Sequence, residues 1–219
     1  VLAIRADAVA SGPQLLALLR QSPLRNKDGS GFAALDIRGQ NLRGTMQLTL
    51  PLKHELGAPT VAGDVELAHA ALTDKRWNVS MTDVAGRVHY DQTGVLADAL
   101  QVKIDGEPAQ FRLAIGKPVG DPALAVAATL TGNLPAATLL ARAPMLAWLD
   151  PIISGRSLWT VEVKIPEAAI KGSRVASTLV VRSDLRGATL KLPAPLDKAP
   201  GAALPLQVSA PLPASAGDI

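Results

Sequence analysis

The sequence predicts a mostly-β, antiparallel fold carrying two or three short helices, and three observations predict it. Apolar and polar residues alternate with period two along several runs, as in strands with one dry and one wet face. Gly, Asp and Pro punctuate those runs at hairpin distances, at Gln92-Thr93-Gly94, Asp105-Gly106 and Gly116-Lys117-Pro118. Finally, one cassette occurs twice: a helix-like segment opening near a proline, then a strand ending in one. The opening prolines lie 122 residues apart (135 − 13) and the closing ones 115 apart (166 − 51). Self-similarity on that scale marks stacked units whose sheet lengthens by repetition. The repeat divides the chain into a first unit at residues 1–132 and a related second unit at 133–219.

The first helix is expected from the S-x-x-Q capping box of Ser11 and Gln14, through Leu15 to Leu19, to Ser22-Pro23. Pro13 in its first turn loses no helical hydrogen bond, and Pro23 pushes Ser22 out of helical geometry. A strand from Gly44 to Pro51 follows. Val79 and Met81, with Trp77, point one way while Asn78, Ser80 and Thr82 point the other. Leu100, Val102 and Ile104 alternate with Gln101, Lys103 and Asp105; Phe111, Leu113 and Ile115 alternate with Gln110 and Arg112. In the second cassette Asn133 is the expected N-cap, Pro135 lies in the first turn, and the helix stops at Ala143-Pro144. A further short turn is expected at Met145 to Leu149. The strand from Gly155 alternates Trp159, Val161, Val163 and Ile165 with Thr160, Glu162 and Lys164. Residues 193–200 and the tail from Pro211 read as Pro/Ala loops. About ten strands of ordinary length result. Both helices are about three turns long and must dock on something to persist. A second sheet or a closed barrel would cover the dry face, and a curved sheet would instead leave it as a groove for apolar ligands.

Composition excludes several functions. At 48% apolar residues the chain is not disordered, and with 3% aromatics its apolar surface is aliphatic and chemically uniform. The net charge of +3 is slight and scattered, without the basic stripe of a nucleic-acid footprint. Cysteine is absent, which removes disulfides, iron–sulfur clusters and thiolate zinc. The longest apolar stretch, Leu134 to Leu149, is interrupted by Pro135, Arg142 and Pro144, unlike a membrane span.

Candidate chemistry is sparse. His54, His69 and His89 are too far apart to form an H-x-H or H-x-x-x-H ligand pair and read as strand-face or solvated side chains. Asp64 and Glu66 share one face of a strand, where an acid/base pair is conceivable, but that is its polar face, where charges belong. No G-x-S-x-G elbow, P-loop or G-x-G-x-x-G occurs. Neither an enzymatic role nor a cofactor is expected. The aliphatic faces remain, readable as a buried core or as an unspecific track for acyl chains, to which each buried CH₂ contributes about 0.8 kcal/mol.

Two tracts carry a family resemblance. Gly155-Arg156-Ser157-Leu158-Trp159 opens a strand ending at Pro166, and Ser183-Asp184-Leu185-Arg186-Gly187-Ala188-Thr189-Leu190-Lys191-Leu192-Pro193-Ala194-Pro195-Leu196-Asp197-Lys198 follows. With Gly63-Asp64-Val65, Asp83 to Val88 and Asp105-Gly106-Glu107-Pro108, these resemble the YhdP family of AsmA-like proteins from Gram-negative bacteria. The resemblance implies a section of a long periplasmic protein, anchored in the inner membrane by a helix outside this stretch. It also implies a bridge that carries phospholipid to the outer membrane in a repeating β-groove. Asp184 to Gly187 would be a turn, and Leu192 to Lys198 a proline-bounded strand and loop.

The expectation is therefore a mostly-β, open, curved antiparallel sheet whose apolar groove holds phospholipid acyl chains, with neighbouring segments of the same long chain as partners and no nucleic acid. The expected groove residues are Val79, Met81, Leu100, Val102, Ile104, Phe111, Leu113, Ile115, Val161, Val163, Ile165, Leu179 and Val181. The alternative is a closed β-sandwich serving as a structural or protein-interaction domain of the envelope.

Overall fold

The computed structural model describes residues 1–21, 33–52, 58–75, 78–140, 148, 150–170 and 175–212. The expectations on His54, Trp77, the stop at Ser22-Pro23, the end of the second helix and all but Trp148 of the turn at Met145 to Leu149 lie outside these residues. In chain order the elements are β1 (Leu2–Ala10), α1 (Gly12–Gln21), β2 (Leu35–Arg38), β3 (Leu42–Leu50), β4 (Thr60–Asp74), β5 (Val79–Asp91) and β6 (Gly94–Ile104). They continue with β7 (Glu107–Gly116), β8 (Leu124–Pro135), α2 (Ala136–Leu140), β9 (Ile153–Pro166), α3 (Glu167–Ile170), β10 (Ser177–Ser183), β11 (Ala188–Leu190) and β12 (Leu206–Leu212).

All twelve strands belong to one sheet, with the order β1-β3-β4-β5-β6-β7-β8-β9-β10-β12 and antiparallel pairing throughout. β2 lies against the far end of β4, and β11 against the start of β9. The sheet is open, with β1 and β12 as its edges, so among the described residues neither a second sheet nor a closed barrel covers the dry face. The repeated cassettes adopt one topology. β1–α1–β3 and β8–α2–β9 are each a strand, a helix and a returning strand that pairs with the first. The unit boundary after residue 132 falls inside β8, and the sheet runs through it unbroken.

Local chemistry explains the turns. Asp91 Oδ1 accepts from Thr93 N, Thr93 Oγ1 and Gly94 N at 2.6, 2.7 and 3.0 Å, closing the β5–β6 hairpin. Asp105 and Gly106, with φ of 51° and 86°, supply the left-handed pair that a two-residue hairpin needs. Gly116-Lys117-Pro118 does not make a tight hairpin: a 3₁₀ turn at Lys117–Val119 lengthens the connection to β8. At α1, Gln14 Oε1 accepts from Ser11 N at 2.8 Å, one half of the expected capping box, while the serine hydroxyl donates to the same oxygen at 3.0 Å.

Two further expectations are corrected. Asn133 does not cap the second helix, because Asn133, Leu134 and Pro135 still pair with Leu158, Ser157 and Arg156, and the helix begins only at Ala136. Burial of the Leu134 side chain holds the strand extended to that point. The chain at Pro211 is not a loop but part of β12, opposite Thr178. An edge strand tolerates proline because the missing N–H need not serve the ladder.

The family-like tracts meet in space. Gly155 and Gly187, with φ of 92° and 88°, press backbone to backbone: a Cβ on Gly155 would lie 2.5 Å from the Gly187 carbonyl oxygen, and one on Gly187 2.3 Å from that of Arg156. Ser157 Oγ and Ser183 Oγ share a hydrogen bond of 2.9 Å, and Trp159 Nε1 donates to the Leu134 carbonyl at 3.2 Å. Asp184 to Gly187 forms the expected turn, in which Ser183 Oγ and Asp184 Oδ1 accept from Leu185 N and Arg186 N. Lys198, buried, donates from Nζ to the carbonyls of Leu185, Ala188 and Ala199 at 2.7, 2.7 and 3.1 Å. It thereby ties the loop after β11 back to the turn before it.

Replacing Gly187 with alanine should cost about 1–3 kcal/mol of unfolding free energy, since the new side chain meets backbone in a left-handed conformation. Lys198→Met removes a charged donor from three carbonyls, of which those of Leu185 and Ala199 keep the backbone N–H of Ala188 and Ala202, and should cost about 1–3 kcal/mol. Denaturant titration of both variants measures these losses, and wild-type midpoints would show that the lock holds nothing.

Candidate functional site

Antiparallel partners point to the same side of a sheet, so the register carries one face from edge to edge. Ile4 opposes Leu48, Leu48 opposes Val61, and Met46 opposes Gly63, which opposes Tyr90. Tyr90 continues to Val95, Val95 to Ile115, Ile115 to Val126 and Val126 to Ile165. A parallel row runs Leu113–Ala128–Val163–Leu179–Ala210, and another Phe111–Leu130–Val161–Val181–Val208. Among the described residues of this face the ionisable carboxylates are Asp74 and Glu107, both at strand ends. The face is an aliphatic row about 43 Å wide, counting nine interstrand steps of about 4.8 Å.

All thirteen expected groove residues lie on this one face. Val79 and Met81 come from β5; Leu100, Val102 and Ile104 from β6; Phe111, Leu113 and Ile115 from β7. Val161, Val163 and Ile165 come from β9, and Leu179 and Val181 from β10. Leu100, Val102, Ile104 and Ile115 are buried; the other nine are half-buried. Sequence reading missed Met46, Leu48 and Leu50 on β3, although the repeat pointed at them: 161 − 46, 163 − 48 and 165 − 50 all equal 115. It also missed the apolar sides of β1, β8 and β12.

Cover over the face is uneven. Leu16 of α1 and Ile37 of β2 join Val95, Ile115, Ala125 and Val126 in one buried cluster, against which Leu15, Leu19, Tyr90 and Ile165 pack. At the opposite strand ends Ala136, Leu185 and Ala188 close over Leu134 and Trp159. Toward both edges the face emerges: Ile4 is 39% exposed on β1 and Val208 40% on β12.

Curvature comes from three register shifts side by side, at Leu67 to Ala70 in β4, Thr82 to Ala85 in β5 and Ala97 to Leu100 in β6. His69 and Asp83 sit in this crease at φ 53° each, joined by a 2.5 Å contact, and Lys103 Nζ lies 2.9 Å from Asp83. Hydrogen bonds from His69 and Lys103 hold the Asp83 carboxyl below its ordinary pKa, and those from Arg156 do the same for Glu107. Both depressed carboxylates favour the fold above the ordinary carboxylate range, and that contribution fades as pH falls through the lowered values. Tyr90 titrates above its ordinary value because it is desolvated over Gly63, where its hydroxyl donates to the Thr45 carbonyl at 3.2 Å.

The opposite face is polar. Asp64 bonds His89 at 3.2 Å, Arg182 links Glu162 and Gln207, and Arg112 pairs with Asp98. Two shallow concavities there, of about 280 and 450 Å³, are lined largely by such side chains. Among the described residues no group of three His, Asp or Glu could hold a metal ion.

No curated protein and no solved structure matches this chain. A family model described as YhdP protein matches residues 1–218. That match takes in every strand contributing to the apolar row, and the chain belongs to the YhdP family.

Proposed function

We propose that this chain is a section of a periplasmic bridge along which phospholipid passes between the inner and outer membranes of a Gram-negative envelope. Acyl chains lie along the apolar face, and headgroups stay at the strand ends, where the carboxylates of Asp74 and Glu107 supply polar groups. The role is passive, without catalysis or a cofactor. Family membership supports it, and one observation carries it: an aliphatic row continuous across ten strands that emerges at both sheet edges.

The physical demand of such a track is met by side chains of this kind. A hydrocarbon tail gains about 0.8 kcal/mol for each methylene removed from water and asks for no directional partner. Val, Leu, Ile and Ala supply that surface, whereas hydrogen-bonding groups along it would lose their water whenever a tail passed. Among the described residues no helix is long and apolar enough to cross a membrane.

A photo-reactive benzoylphenylalanine placed at Val163 or Met46 should capture phospholipid from vesicles, while the same group at the adjacent Lys164 or Gln47, on the polar face, should not. Capture that ignores this alternation would sink the track. Val163→Asp, at a half-buried position, should lower phospholipid capture from Met46 or Val181 by at least about tenfold, because tails must then pass a carboxylate they cannot hydrogen-bond. Circular dichroism verifies that the sheet persists in each variant.

A further inference from the structure

The helix that follows β1 lies where a lipid tail would go. Leu15, Leu16 and Leu19 of α1 project onto the apolar face and pack in the clusters containing Val95, Ile115 and Val126, near the middle of the ten-strand row. Leu16 is 7% exposed, while Leu18 on the far side of the helix is 56% exposed. To either side the row is less covered, with Ile4, Met46 and Leu48 toward β1, and Val163, Leu179 and Val208 toward β12. The helix thus separates two stretches of a single track.

Resting on the transport reading above, we propose that α1 is a displaceable plug whose three leucines occupy the track in the absence of lipid and give way to an acyl chain. The contacts it makes there are aliphatic and undirected, so hydrocarbon can replace leucine without stranding a polar group. Its start is held differently. Gly12 N donates to the Gly39 carbonyl at 2.9 Å, and a Cβ on Gly12 would lie 2.3 Å from the Ile37 carbonyl oxygen. That tight attachment makes the N-terminal end the pivot. At the other end Arg20 donates from Nη2 to the Ala33 and Leu35 carbonyls at 3.4 and 3.3 Å, long exposed hydrogen bonds that water replaces as the leucine-bearing turns move. The second cassette places Ala136 and Leu139 of α2 on the same face, so each repeat brings its own helix over the track.

The absence of cysteine from the 219-residue chain makes the test direct. Spin labels at Leu18→Cys and Gln110→Cys, on the exposed sides of α1 and β7, report the helix-to-sheet distance by double electron–electron resonance. Vesicles of palmitoyl-oleoyl phosphatidylethanolamine and phosphatidylglycerol should produce a second, longer distance, together with phospholipid capture by a photo-reactive group at Val163. An unchanged distance with capture at Val163 and Met46 overturns the plug and leaves the track standing; no capture at either position overturns both. A longer distance without capture also overturns the plug, since the helix then moves without admitting lipid. The combined Leu15→Ala, Leu16→Ala and Leu19→Ala variant, which keeps helix propensity but vacates the track, should take up phospholipid several-fold faster. A folded variant with unaltered uptake overturns the proposal, and if the variant fails to fold, the spin-label experiment decides.

Discussion

Every property of this sheet depends on register. Strand side chains alternate with period two, so a one-residue slip between any two neighbours would send the apolar row to the outer face from that strand onward. Nine successive pairings along the main path preserve the row. The three irregular strands make the constraint visible. β4, β5 and β6 each take three residues where two would do, and they take them next to one another, so the extra residues compensate and the dry side stays dry. The crease bends the sheet without inverting it. Its strain falls on the outer side, where His69 and Asp83 adopt left-handed backbone and bind each other.

The stretches legible in the sequence are those where large aliphatics faced obviously polar neighbours. Residues 100–104, 111–115 and 159–165 meet that condition, and the structure places their apolar members on one face. β8 does not meet it. Val126, Ala128 and Leu130 face the row while Ala127 and Thr129 face away, and alanine on both sides erases the alternation. β1 has the same weakness, with Ala3 between Leu2 and Ile4. Proline misled twice for one reason: it reads as punctuation, yet at Pro135 and Pro211 tertiary pairing keeps it in a strand. The cover over the face was not legible at all. The leucines of α1 announce that the helix buries one side, but periodicity carries no information about what they are buried against.

The family-like tracts acquire a physical meaning that points away from chemistry. Gly155 and Gly187 allow two backbones to touch, Ser157 and Ser183 satisfy each other's hydroxyls, and Trp159 closes over Leu134. Lys198 then gathers three carbonyls, two of which also accept from backbone N–H groups within the turns. Such residues are constrained because each fits one partner closely, as in any well-packed interior. They hold the sheet's second half in shape, whereas the track itself asks only for aliphatic surface. A face that accepts many side chains leaves little signature, and for that reason its carrier residues are the least distinctive in the sequence.

Whether a helix seated on that track blocks it for good is a question of magnitude. Fully burying a leucine side chain is worth about 1.5–3 kcal/mol, so Leu16, which is buried, with Leu15 and Leu19, which are half-buried, holds α1 down by at most about 4.5–9 kcal/mol. At about 0.8 kcal/mol for each methylene, an acyl chain matches that sum with about six to eleven carbons. A common tail of about sixteen carbons exceeds it. Measured against water the exchange therefore favours a tail, whereas a tail drawn from a bilayer has already left water, and α1 yields to it only as far as its own leucines find other apolar cover. A polar lock across the face would have made the same displacement far more costly, because each broken hydrogen bond would leave a buried group unpaired. The aliphatic uniformity that makes the track hard to read in the sequence is thus also what would let its own helix be replaced by cargo.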